Sequence, residues 1–151
     1  MNFKWISNGD FDQLKDAFQI RRKVFIEEQA VSPELELDGL DQQLIHVIGY
    51  NDRDQAVATA RITLQENNTL AKIQRVAVLK EFRGQHIGLK LMEEIEQWAR
   101  NSTYPIEKLV LSAQDTAIPF YQKLDYQVTH PDGYLDANIP HHDMAKDLNY
   151  I

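Results

Sequence analysis

Arg83, Gly84 and Gly88 stand where the stretch RVAVLKEFRGQHIGLKLMEE, residues 75–94, changes from a strand-like to a helix-like pattern. A helix that opens directly after a strand offers unpaired backbone N–H groups and the positive end of its dipole. An anion can settle there when the preceding turn carries no bulky side chains, and the guanidinium of Arg83 suits a pyrophosphate. The glycines alone leave two readings open: a phosphate cradle, or a tight strand-to-helix turn. The spacing fits neither GxxxxGK[ST] nor GxGxxG, so a P-loop and a dinucleotide fingerprint both find no support.

Other residues could move protons or attract charge. His46 falls in mid-strand, and His141 and His142 fall at the edge of the last strand; each is a candidate base. Adjacent residues of a strand point to opposite faces, so His141 and His142 do not converge on an ion, and no metal is expected. Glu27, Glu28, Glu34, Glu36, Asp38 and Asp41 form an acidic stretch. It reads either as an attraction for a cationic amine or as a solvated loop. Arg21 interrupts an apolar helical stripe; the expectation is that it snorkels to the surface, or pairs with Glu28, and has no role in a site.

The chain that must position these residues has 151 residues, a net charge of -7 and no cysteine. That length suits one domain, 1–151. Without cysteine there is no disulfide, thiolate metal site or cysteine nucleophile. The acidic balance argues against nucleic acid, because neutralising phosphates needs a basic face. No apolar run approaches the ~20 residues that span a bilayer, and the first residues lack a secretory pattern, so no membrane association and a cytoplasmic location are expected.

Along the chain, a short strand is expected at 2–6, then a helix from an Asp10 N-cap to about Glu28. Leu14, Ala17, Phe18, Val24 and Phe25 form its apolar stripe. A turn-rich loop covers 32–41. Strands follow at 44–50, 56–65 and 70–78, joined by the hairpin-grade turns NDRDQ and ENN. A helix at 84–100 crosses over to a buried strand at 108–113, which should lie parallel to 70–78. A short helix at 115–124 tolerates Pro119 only in its first turn. Strands near 126–129 and 142–146 end the pattern, an α/β (mixed α+β) sheet with helices on its faces.

RVAVLKEFRGQHIGLKLM resembles motif A of the GNAT superfamily of acyl-CoA-dependent N-acyltransferases, with Arg83, Gly84, Ile87 and Gly88 matching and His86 in place of the usual middle glycine. AIPFYQKLDY, residues 117–126, is similar to a downstream motif of that superfamily, with Asp125 in place of a glycine. RRKVFIEEQ, LDGLD, LIHV and IPHHDM are similar to its ElaA-like subgroup. The resemblance implies a mostly antiparallel central sheet with flanking helices, in which two central parallel strands, 70–78 and 108–113, splay apart. It implies acetyl-CoA as cosubstrate, its pantetheine held by the backbone of Val76, Ala77 and Val78 and its pyrophosphate by Arg83, Gly84, Gln85, His86, Ile87 and Gly88. It also implies Tyr121 as general acid and a backbone N–H near Val76 as oxyanion donor. The implied acceptor is a primary amine on a small molecule or peptide, cationic if the acidic stretch faces it; many relatives form homodimers. A non-catalytic acyl-CoA sensor with the same fold is the alternative.

Overall fold

A computed structural model describes residues 1–148. Among these, eight strands form one sheet in the order β1-β2-β3-β4-β5-β8-β6, with β7 pairing β8. Asn2–Ser7 (β1), Ile45–Tyr50 (β2), Ala56–Gln65 (β3) and Leu70–Val78 (β4) form an antiparallel meander. Lys108–Gln114 (β5) joins β4 as the parallel neighbour that a crossover helix requires. Gln127–Val128 (β6), Tyr134–Asp136 (β7) and Ile139–Asp147 (β8) complete the sheet.

Helix α1, Phe11–Arg21, begins at Asp10, whose carboxylate accepts from the Gln13 N–H while the Gln13 side chain accepts from the Asp10 N–H. This reciprocal capping box satisfies two of the N–H groups a helix start leaves open. The helix then widens into a π turn over Arg22–Glu28, with the Gln29 N–H donating to the Val24 carbonyl. The expected acidic loop contains a short helix, α2 (Pro33–Glu36), and a 3-10 turn at Asp41–Gln43. Helix α3, Ile87–Asn101, is the crossover, and α4 is Ile118–Gln122, with Pro119 in its first turn.

Two apolar layers result. Leu14, Ala17, Ile20 and Val24 pack with Ile48 and Ala77 on the α1 face of the sheet. Leu91, Met92, Ile95 and Ala99 of α3 pack with Val47, Ile62, Ile73 and Leu109 on the other face. Among the described residues, no helix is long and apolar enough to cross a membrane.

Sequence patterning leaves β7 out. Its hairpin with β8 pairs Asp136 with Ile139 across Ala137 and Asn138, both at positive φ (50° and 63°). That is the geometry of a two-residue type I′ turn, and Ala gives no turn signal.

Candidate active site

β4 carries the irregularity that opens the site. Arg61 pairs with Gln74 and Thr59 with Ala77, so Ala60 alone faces both Arg75 and Val76. This is a β-bulge, and Arg75 sits at φ 54°, where residues other than glycine are uncommon. On the other side, the parallel ladder aligns Leu70–Ile73 with Lys108–Leu111 and runs no further. From Gln74 and Ser112 onward the two strands part, and a cleft of about 900 Å³ lies between them.

Val76, Ala77, Val78, Arg83, Gly84, His86, Ile87, Gly88 and Tyr121 all line this cleft; Gln85 is exposed and does not. At one end, α3 begins from His86 with no side-chain cap on its first N–H groups. His86 takes φ 62° and Gly84 φ 80°, so the chain turns through two left-handed residues before the helix. Gly84 is required by its angle, since a Cβ there would meet nothing. A Cβ on Gly88 would meet only ordinary contacts, 3.5 Å from Phe120 and 3.9 Å from Val78. Packing within the chain therefore does not demand glycine at 88; a group seated on the first turn would. An uncapped helix start with space above it fits a diphosphate.

Arg83 does not reach into that space freely. Its Nη1 and Nη2 lie 2.5 and 2.8 Å from the Glu28 carboxylate, and its Nε donates to the Val78 carbonyl at 3.0 Å. The Arg83 hydrogen bond, against a smaller desolvation effect, holds the Glu28 carboxyl below its ordinary value.

Tyr121 is 7% exposed, and its ring meets Phe120 and Tyr126 edge-on at 5.1 and 5.8 Å. Burial pushes its phenol up to about 12, so it stays protonated at neutral pH.

The three histidines separate. His46 is fully buried, donates from Nε2 to the Asp41 carbonyl at 2.8 Å and does not line the cleft. Burial lowers its pKa and keeps it neutral. It therefore does not face the acyl centre as a base would. His142 binds Asp115 at 2.6 Å on the other side of β8, and that carboxylate raises its pKa. His141 lines the cleft, with Nδ1 2.6 Å from the Ile139 carbonyl. A carbonyl only accepts, so Nδ1 carries the hydrogen and the neutral ring keeps its lone pair on Nε2.

Arg21 corrects the expectation most clearly. It is 1% exposed rather than snorkelling, and its partners are Glu36 at 2.8 Å and Asp41 at 2.6 Å, not Glu28. Arg61 joins Asp38 at 2.8 Å and Asp41 at 3.0 Å, and Arg75 joins Glu36 at 2.6 Å. Glu36, Asp38 and Asp41 of the acidic stretch thus form an ion network, buried at Glu36 and Asp41, that fastens α2 over β3 and β4. Asp38 is held down to about 2, chiefly by the Arg61 hydrogen bond against an opposing desolvation. The only sequence signal for the network is a charge on an apolar stripe; Arg61 in β3 and Arg75 in β4 give none.

Comparison with known proteins places the fold. The acetyltransferase (GNAT) domain pattern matches residues 13–148. YjcF of Bacillus subtilis, an uncharacterised N-acetyltransferase, is 37% identical over 136 residues, 90% of this chain and 94% of that protein. The crystal structure of ElaA from Escherichia coli superposes with a TM-score of 0.80 at 28% identity, covering 97% of this chain and 99% of the other. An acyl-CoA N-acyltransferase from Pseudomonas aeruginosa gives 0.82 at 26% identity, with the same shares. Matched by the family pattern and by these relatives over nearly its full length, the chain belongs to the GNAT acetyltransferase family, acyltransferases that use acyl-CoA as cosubstrate.

Proposed function

We propose that the protein transfers an acetyl group from acetyl-CoA directly to a primary amine of a small molecule or peptide. The observation that carries this reading is the cleft between β4 and β5, which runs from an uncapped helix start to the unpaired main chain at Val76. Backbone groups of Val76, Ala77 and Val78 hold the pantetheine as an added strand would be held. The turn from Arg83 through Gln85 to Gly88 takes the diphosphate on its N–H groups.

In the reaction the amine nitrogen attacks the thioester carbon, an oxyanion forms, the C–S bond breaks, and sulfur leaves as thiolate. A backbone N–H at Val76 stabilises the oxyanion. Tyr121 donates to the departing sulfur. A phenol near 12 lies above an ordinary thiol at about 8.5, so full transfer is uphill. Its role is therefore a hydrogen bond that strengthens as charge grows, with the proton released by the amine completing the thiol. His141, the one of those three histidines that lines the cleft, takes the amine proton on Nε2 and hands it on to the thiolate.

A non-catalytic acyl-CoA sensor shares the binding half of this reading but not the second half. Release of free coenzyme A, followed with a thiol reagent while a panel of amines is supplied, separates the two. Calorimetry with coenzyme A tests binding by itself, and absence of heat at millimolar ligand would end both readings.

A further inference from the structure

The end of the cleft away from α3 has walls of its own. On one side stands Leu35 of α2, 59% exposed although it lines the cleft, with Val31 before it. Arg75 Nη2 donates to the Leu35 and Glu36 carbonyls, which fixes α2 against the bulge of β4. On the other side stands Tyr134 of β7, its hydroxyl held by Ser112 and by Asp143 at 2.5 Å. Its ring stacks on His141, 6.1 Å between centroids and 16° between planes. Ile139 continues this wall. Ser112 lies one residue past the last paired level of β5, so Leu35 and Tyr134 flank the cleft where β4 and β5 separate, opposite the phosphate end.

Among the side chains that line the cleft there, charge is balanced; Asp143 stands behind Tyr134 and is turned to its hydroxyl. Glu36, Asp38 and Asp41 are matched by Arg21, Arg61 and Arg75 in the network beneath α2. Among the described residues, Lys72 and Asp136 line the cleft without an ion pair, one of each sign. A substrate with several ammonium groups would leave water and find one carboxylate against one lysine. A substrate with one amine loses its only charge before attack and lays its body on Leu35, Val31, Tyr134 and Ile139. Exposed apolar side chains within a cleft mark a surface that a ligand covers.

From this we infer that the acceptor is a primary monoamine on an apolar body, aryl or alkyl, rather than a polyamine or amino sugar. The inference rests on the acetyltransferase reading and adds the substrate class. Its test is acetyl-CoA-dependent thiol release with 2-phenylethylamine and hexylamine against spermidine and kanamycin. The monoamines should exceed the polycations in kcat/KM by about ten-fold or more, the discrimination an apolar pocket supplies. Leu35→Asp, at an exposed position, should lower kcat/KM for 2-phenylethylamine by about five-fold or more while the coenzyme A Kd by calorimetry stays unchanged. Equal or better use of the polycations, or an unaltered Leu35→Asp, overturns the inference and leaves the transferase standing. No release from any amine, with coenzyme A heat intact, overturns the inference and favours the sensor. No coenzyme A heat overturns the transferase reading itself.

Discussion

Glu28 grips Arg83 with both carboxylate oxygens, 2.5 and 2.8 Å away, and so ties the π turn that ends the first helix to the loop that opens α3. The guanidinium best placed for a diphosphate is already occupied by a carboxylate of the same chain. On the proposed reading, a ligand phosphate must compete for it. The pair is partly exposed, so its own strength is modest, about 0–1 kcal/mol.

The first prediction follows from that competition and has an unusual sign. Glu28→Gln should tighten coenzyme A binding, by about two- to ten-fold at low salt, because it frees Arg83 and removes a negative charge beside the diphosphate. Calorimetry measures it directly, and the gain should shrink as salt is added. A weaker Kd in the variant would mean that Glu28 positions Arg83 for the ligand rather than withholding it.

Tyr121→Phe separates packing from chemistry. The ring keeps its edge contacts with Phe120 and Tyr126, and the residue lines the cleft. Turnover should fall about ten-fold or more, the scale of one proton donor, with coenzyme A affinity and thermal midpoint nearly unchanged. Unaltered turnover would remove the hydroxyl from the mechanism.

Much of the architecture is legible in the sequence because local physics and the fold agree there. Asp10 caps as expected, the meander turns fall at NDRDQ and ENN, and β5 is parallel because a helix precedes it. The turn through Gly84 into α3 is legible for the same reason, a strand-to-helix turn being a local feature. The acceptor end is not. It depends on a bulge at Arg75, a turn through Ala137 and Asn138, and a network joining residues up to 40 positions apart. None of these has a local residue signature. Arg21 did leave one, a charge on an apolar stripe, but its meaning depends on Glu36 and Asp41 arriving from another segment.

Asp38 links that network to pH. Its folded pKa of about 2 lies below the ordinary carboxylate value, so its contribution to stability is present above about pH 4 and is lost as pH falls toward 2. Asp38 is partly exposed and its ion pair is screened, so Asp38→Asn should cost no more than about 1 kcal/mol at pH 7. The gap between the two proteins should close between about pH 4 and pH 2 as the native carboxylate is protonated. Urea denaturation at pH 7, 4 and 3 measures both. A gap constant with pH would show that Asp38 acts by shape and not by charge.

His141 makes the most specific chemical prediction, because its tautomer is set by a backbone carbonyl. With Nδ1–H committed to Ile139, only Nε2 can take a proton, and Tyr134 stacked on the ring restrains where Nε2 points. His141→Gln keeps a polar side chain of similar reach but cannot act as a base. If His141 takes the amine proton, kcat should fall about 100-fold, within the range for general bases, with the coenzyme A Kd unchanged and KM for the amine little altered. Activity of the variant should then recover as pH rises and more free amine is present. A purely structural histidine would instead lower the thermal midpoint and scale the whole pH–rate profile down without changing its shape. Tyr134→Phe provides the companion case: it keeps the stacked ring but gives up Ser112 and Asp143, so it should loosen the His141 orientation and lower kcat by a smaller factor.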